Sequence, residues 1–255
     1  MRIWPIFKKE MRLYFTSPVA YVIFTIFLLI AGYFFSSIFA FFTLASMQSA
    51  MNPMMARDLN VTDSVMRPLF SNLSVILLLL MPIVTMRLFS EERRSGTIEL
   101  LLTYPVRDGA VLLGKYLAGL TLYALMIGLT LLYPAIVLYF TRLEWGPLAT
   151  GYLGLLLMGA MFLAIGVFAS SLTENQIVAA VITFGILLMF WVIGWSADSV
   201  GAGWGPILQH LSIVEHNDSF AKGVIATKDV IYYVNLTLLS LFLTLRSLES
   251  RRWKG

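Results

Sequence analysis

Long stretches without a charged residue alternate with short charged segments along this chain of 255 residues. A hydrocarbon core about 30 Å thick needs about 20 apolar residues of helix. The runs are continuously apolar rather than alternating, which favours helices over strands. The pattern therefore predicts an all-α integral membrane protein with six transmembrane helices, at about residues 19–42, 69–88, 113–140, 148–171, 175–196 and 229–247.

The composition supports this class. Hydrophobic residues make up 59% of the chain and charged residues 13%, against roughly half and roughly a quarter in soluble domains. A soluble domain with so little charge would expose a large apolar patch, and a disordered chain would be less apolar. The chain has no cysteine, which excludes disulfides and thiolate metal sites.

Two segments outside the spans have their own patterns. In residues 1–17, aromatic and apolar side chains recur at helical spacing beside basic ones, which predicts an amphipathic helix in the plane of the membrane interface. Residues 198–228 are interrupted by glycines and by Pro206 but keep many apolar positions. We expect short re-entrant helices there, because irregular backbone at membrane depth must be buried in protein.

Lysine and arginine residues are distributed unequally between the two sides of the predicted membrane. With six spans both termini lie on one side, and 13 of the 18 Lys and Arg residues fall there, against five on the other side. Cytoplasmic loops carry the excess of Lys and Arg. This predicts cytoplasmic termini and an external segment 198–228.

The predicted cytoplasmic segment 88–105 is the most informative part of the chain. A charged group, Glu91-Glu92-Arg93-Arg94, precedes Gly96-Thr97 and a short apolar helix that Pro105 ends. Ile98, Leu101 and Leu102 form one apolar stripe. The stripe packs either on a partner or on the protein's own spans, and the pattern alone does not choose. In the second cytoplasmic turn, Thr173 and Gln176 have capping-box spacing.

The run Glu91-Glu92-Arg93-x-x-Gly96-Thr97-Ile98-Glu99-Leu100-Leu101-Leu102-Thr103-x-Pro105 resembles the signature of ABC-2-type transporter permeases. More narrowly, it is similar to the branch associated with gliding motility and nitrous-oxide-reductase maturation. Gly114-Lys115-Tyr116 and the segment around Phe220 are also similar to that branch.

This resemblance implies an elbow helix at 1–17, a coupling helix within 88–105 and external re-entrant helices before the sixth span. It implies that the chain is a transport subunit rather than an enzyme, with its termini on the cytoplasmic side of a bacterial inner membrane. The expected partners are cytoplasmic ABC ATPase subunits, a second permease copy forming a homodimer, a membrane-anchored accessory protein in some members, and membrane lipid, but no nucleic acid. The chain itself would bind no cofactor, and ATP and magnesium would bind to the ATPase.

The resemblance also assigns two sets of site residues. The expected ATPase-coupling residues are Glu91, Glu92, Arg93, Gly96, Thr97, Ile98, Glu99, Leu101 and Leu102. The expected second cytoplasmic contact consists of Thr173, Glu174, Asn175 and Gln176.

Other candidate sites fit their chemistry less well. The near P-loop from Gly109 to Lys115 is followed by Tyr116 instead of the Ser or Thr that holds magnesium, and it opens a membrane helix. His210 and His216 are six residues apart and do not share a helical face, so we interpret them as satisfied surface histidines. We interpret the methionines of the first external segment as apolar packing residues rather than copper ligands. They are Met47, Met51, Met54 and Met55.

Two other functions are weighed against an ATP-driven permease. An ion-coupled carrier or passive channel would need a charge in mid-membrane or a broken-helix site, and the spans show neither. An intramembrane enzyme would need a catalytic motif, and no His-Glu-x-x-His or Gly-x-Ser-x-Gly motif is present. The substrate does not follow from any of these patterns.

Overall fold

The computed structural model describes residues 3–51, 60–97, 107–197 and 203–252. Every regular element in these ranges is helical. In chain order the α-helices are α1 (Ile3–Thr16), α2 (Pro18–Met51), α3 (Arg67–Thr85), α4 (Ser90–Arg94), α5 (Asp108–Leu129), α6 (Leu132–Phe140), α7 (Trp145–Leu172), α8 (Gln176–Ala197), α9 (Gly205–Leu211), α10 (Ile213–Ala221) and α11 (Thr227–Arg252). A π-helical turn, Thr62–Met66, leads into α3.

Within the described ranges, six helical segments are long and apolar enough to cross a membrane. They are Pro18–Met51, Thr62–Arg94, Asp108–Phe140, Trp145–Leu172, Gln176–Ser196 and Thr227–Ser250. The predicted all-α membrane architecture with six spans is confirmed. Helix α2 has 34 residues, and at about 1.5 Å per residue it is longer than the hydrocarbon core is thick. It therefore extends beyond the core or tilts strongly.

The third of these segments contains a break between α5 and α6. Pro134 has no backbone N–H, so it cannot donate to the carbonyl of Thr130 as a regular helix requires. The amide of Tyr133 donates to that carbonyl instead, at 3.0 Å, and the Thr130 hydroxyl donates to the carbonyl of Ile127 at 2.6 Å. The helix axis is thus interrupted, so the expectation that no span contains a broken helix was wrong for this one. The carbonyls of Ile127 and Thr130 nevertheless keep hydrogen-bond partners.

Helix α7 forms the centre of the bundle and packs against α3, α5, α8, α10 and α11. The glycines of α7 receive side chains from its neighbours. A Cβ atom at Gly159 would lie 2.1 Å from the Tyr123 ring, and one at Gly166 would lie 2.1 Å from Thr85. The neighbouring helices pack closely on α7 at these positions, because only glycine leaves room there.

The bundle has two ends, which we name after two glutamates. The Glu92 end contains α1, α4, the start of α5 and the end of α7. There, Leu248 near the end of α11 packs in one apolar cluster with Leu88 and Val111, so both terminal helices reach this end. The Glu144 end contains α9, α10 and the loop before α7, where Glu144 accepts a hydrogen bond from Asn60 at 2.9 Å.

The two short helices α9 and α10 occupy the segment before the sixth span. In α10, Ile213 and Phe220 are fully buried. The ring of Phe220 lies against Gly154 of α7, and the Thr150 hydroxyl donates to the carbonyl of Phe220 at 2.8 Å. Helix α10 is therefore anchored in the bundle rather than exposed as a solvated loop.

Candidate functional site

The charged segment after the second span folds as the short helix α4. Helix α4 ends where the amide of Gly96 donates to the carbonyl of Arg93 at 3.2 Å. Gly96 has a φ of +69°, a left-handed conformation that glycine adopts without the steric cost of a Cβ. The glycine of the motif thus marks the end of one helical turn, and Thr97 follows it in an exposed position.

A charge cluster ties α4 to two other helices. We call it the buried charge cluster, since Glu10, Glu92 and Lys115 are largely buried and only its fourth member, Lys9, is half exposed. Lys115 donates to Glu10 at 2.8 Å and lies 3.0 Å from a carboxylate oxygen of Glu92. Lys9 contacts the same oxygen of Glu92 at 3.1 Å. The side chain of Lys115 is only 2% exposed, so its charge depends on these carboxylates rather than on water.

The charges of this cluster change the pKa of Lys9. Partial burial disfavours its charge, but the carboxylates of Glu92 and Glu10 outweigh that effect and raise the pKa of Lys9 above its usual value. The lysine therefore remains a cation throughout the physiological pH range. With two lysines and two carboxylates, the cluster balances its formal charge.

The triplet Gly114-Lys115-Tyr116 docks helix α1 on α5. A Cβ at Gly114 would lie 2.8 Å from the Ile6 side chain of α1, so glycine permits the close approach. Lys115 then reaches Glu10 on α1, and the Tyr116 hydroxyl donates to the carbonyl of Ala160 on α7 at 3.2 Å. Three consecutive residues therefore join α5 to α1 and α7.

A second set of contacts joins α4 to the end of α7. Arg93 is buried and donates to the carbonyl of Ser171. The Ser170 hydroxyl accepts hydrogen bonds from the amides of Phe89 and Ser90, at 2.9 and 3.1 Å. Because these groups are buried, losing any of them would leave an unsatisfied polar group. Helix α4 is thus held to α7 as well as to α1 and α5.

The turn 173–176 leads into α8, but the N-cap of this helix is not the predicted one. Asn175 caps the helix, since its side-chain oxygen accepts hydrogen bonds from the amides of Ile177 and Val178 at 2.9 and 3.4 Å. The Thr173 hydroxyl instead accepts from the amide of Asn175 at 3.1 Å. The prediction of a Thr173–Gln176 capping box was wrong, because asparagine one residue before the helix satisfies the free amides directly.

The predicted site residues thus fall into three groups. Glu91, Gly96 and Thr97 are exposed at the Glu92 end, as are Glu174 and Asn175, with Thr173 and Gln176 half-buried beside them. Glu92 and Arg93 instead face the interior, where they hold α4 in place. The remaining coupling candidates lie outside the described residues, namely Ile98, Glu99, Leu101 and Leu102.

Sequence reasoning missed Glu10 and Lys115 as members of the site. The available signal was a lysine placed just inside an apolar helix, between Leu113 and Leu117. An ionisable residue at such a position needs a partner of opposite charge. The partner lies 105 residues away in the chain, so no local pattern identifies it.

At the Glu144 end, the interpretation of both histidines as surface residues was wrong for His216. This ring is 3% exposed and lies 2.6 Å from the Asp229 carboxylate, while its second nitrogen lies 2.9 Å from the carbonyl of His210. It stacks on Tyr232 with the ring centroids 4.0 Å apart. His216 therefore ties α10 to the start of α11. His210 itself is exposed.

The same end contains an ion-pair group and the predicted methionines. Asp218 lies 2.6 Å from Arg67 and 2.5 Å from Lys222. Partial desolvation works against its charge, but hydrogen bonds from these cations outweigh it and lower the pKa of Asp218.

Met47 and Met51 are exposed on α2, whereas Met54 and Met55 lie outside the described residues. Among the described residues, no group of three or more His, Asp or Glu side chains is placed to hold a metal ion.

Comparison with known proteins adds one match. The family model described as ABC-2 family transporter protein matches residues 4–248. The match begins in α1 and ends in α11, so it includes the buried charge cluster, five of the long apolar segments and all but the last two residues of the sixth. No curated protein matches the chain.

Proposed function

Since the chain belongs to the ABC-2 transporter family and is a multi-pass permease subunit, we propose that a separate cytoplasmic ATPase drives it through the Glu92 end. One observation carries this proposal. Helix α4 presents Glu91 outward, while its Glu92 and Arg93 are bonded to α1, α5 and α7. A force applied to α4 therefore reaches three helices at once, as a rigid-body or shear transition requires.

The chemistry of Lys115 supports assigning ATP and magnesium to the partner. In a P-loop the lysine reaches the phosphates of the nucleotide. Here Lys115 is buried between the carboxylates of Glu10 and Glu92, and its helix packs in the bundle. The lysine of the near P-loop is therefore already neutralised by the protein, and the chain acts as the moving part of the transporter.

The membrane orientation belongs to the same proposal. The Glu92 end contains the segments with the excess of Lys and Arg, and the positive-inside rule supports a cytoplasmic location for it. An inner membrane of a bacterium, with both termini cytoplasmic, is the setting in which a cytoplasmic ATPase reaches α4. The Glu144 end then faces outward.

A second copy of the chain is the proposed partner within the membrane. Helices α2, α8 and α11 leave most of their apolar surface uncovered within the described residues. Two copies would enclose a pathway between them and seat two ATPase subunits, in keeping with the two-fold symmetry common among oligomers. Genome neighbours are the most direct guide to the substrate and to an accessory protein. They are also the most direct guide to membership of the gliding-motility or nitrous-oxide-reductase branch.

Site-specific crosslinking tests the ATPase contact, because the chain has no native cysteine. We expect Thr97→Cys and Glu174→Cys, both at the Glu92 end, to photocrosslink to a co-expressed ABC ATPase once labelled with a maleimide that carries a benzophenone. Lys228→Cys is the matched control, since Lys228 is exposed at the Glu144 end. Crosslinks at Lys228 as strong as those at the other two positions, or none at Thr97 and Glu174, would contradict the proposal.

A further inference from the structure

A cavity of about 200 Å³ lies at the Glu92 end, between α1, the start of α2 and the end of α3. Its floor is apolar and includes Val19, Ile23 and Ile83. Ile83 is also exposed on the outside of the bundle, as is Leu13 on the rim. Because an interfacial helix meets two spans here, the cavity lies at the level of the lipid headgroups and opens toward the lipid.

Two charged side chains that line this cavity have no partner within the described residues. Arg87 and Glu91 are four residues apart in the sequence, and neither side chain has an ion pair or hydrogen bond among the described residues. An arginine offers a planar array of donors that matches the oxygens of a phosphate. A carboxylate four residues away provides the complementary site for an ammonium group.

The hydroxyl of Tyr14 is an independent observation. Its oxygen is buried and has no hydrogen-bond partner within the described part of the chain, although an unsatisfied buried polar group is destabilising. Burial and the nearby charge of Glu10 raise the pKa of Tyr14 well above its usual value, so the hydroxyl keeps its proton. Tyr14 lines the cavity, and an acceptor bound there would satisfy it.

We propose that this cavity binds one phospholipid of the adjacent leaflet, by its phosphate and its ethanolamine headgroup. Arg87 and the Tyr14 hydroxyl contact the phosphate, and Glu91 contacts the ammonium. One acyl chain leaves along the apolar floor past Ile83. A cavity of this volume holds a headgroup but not a whole lipid, and the apolar rim explains why the occupant carries chains. The site does not depend on an ATPase, and so it goes beyond the proposed function.

Native mass spectrometry of the purified chain, titrated with dioleoyl phosphatidylethanolamine, tests the site. We expect one saturable adduct per chain. Arg87→Gln should weaken it about tenfold, the usual effect of losing a hydrogen bond to a charged group. Arg94→Gln is the matched control, because Arg94 is exposed on α4 outside the cavity, and it should leave binding unchanged. Tyr14→Phe should weaken binding by a smaller factor than Arg87→Gln.

Two further arms identify the headgroup and the source of the phosphate. Phosphatidylcholine, whose quaternary ammonium cannot donate a hydrogen bond, should bind more weakly, and Glu91→Gln should remove that difference. Glycerophosphoethanolamine, which lacks acyl chains, should not displace the lipid at equal concentration. Equal binding by Arg87→Gln and Arg94→Gln, adducts that never saturate, or displacement by the chain-free headgroup would each overturn the lipid site. Matching unfolding temperatures of the variants would confirm that each is folded.

Discussion

Lys115→Met is expected to lower the free energy of unfolding by about 3–5 kcal/mol, the usual cost of removing one partner from a buried ion pair. The variant leaves the carboxylates of Glu10 and Glu92 inside the protein, with Lys9 as the remaining cation of the cluster. Methionine has a volume close to that of lysine, so the change removes charge rather than packing. Chemical unfolding of the detergent-solubilised chain measures the loss.

Two comparisons isolate the cause of that loss. Lys222→Met breaks an ion pair with Asp218 in which both side chains are about half exposed, and it should cost less than about 1 kcal/mol. The triple variant Glu10→Gln, Glu92→Gln, Lys115→Met removes the buried charges together and should recover most of the stability. If Lys115→Met were no more harmful than Lys222→Met, the cluster would not be what holds α1 to α5.

Glu91→Arg is expected to weaken association with the ATPase by at least about tenfold, since juxtaposed like charges cost several kcal/mol across an interface. Glu91 is exposed and its carboxylate makes no hydrogen bond or ion pair within the described residues, so the fold should survive. Reversing Glu92 as well should abolish association, because it also breaks the contact that positions α4 against Lys115. Quantitative co-purification from detergent measures both effects.

The matched control for this charge reversal is Glu215→Arg. Glu215 is exposed at the Glu144 end, and the same change of charge there should leave ATPase association intact. Arg87→Gln separates this result from the proposed lipid site, because it should reduce lipid binding without reversing any charge on α4. Undiminished association in the Glu91→Arg, Glu92→Arg double variant would remove α4 from the ATPase interface.

The six spans could be predicted from the sequence because each is marked by an uninterrupted run without charge, a local property. The glycines of α7 were predictable for the same reason, as small residues in one apolar helix. The buried charge cluster was not predictable, because Glu10, Glu92 and Lys115 come from three separate segments. Taken alone, each is a charged residue of a kind that is common near a membrane interface.

The histidines and the cap of α8 show two other limits. Burial of His216 depends on Asp229 and Tyr232 arriving from the next helix, which spacing within α10 does not reveal. At the turn 173–176, both Thr173 and Asn175 are good N-cap residues, and the choice depends on where α8 begins. A shift of two residues in that boundary moves the cap from one side chain to the other.

The proposed function requires that ATP hydrolysis in another protein moves this chain. The most direct measurement uses a single Lys228→Cys variant carrying an environment-sensitive fluorophore at the Glu144 end, reconstituted in vesicles with and without the ATPase. We predict that ATP changes the fluorescence only when the ATPase is present, and that Glu91→Arg removes the response. A response driven by an ion gradient in the absence of ATPase, or no response to ATP in the assembled complex, would contradict the account.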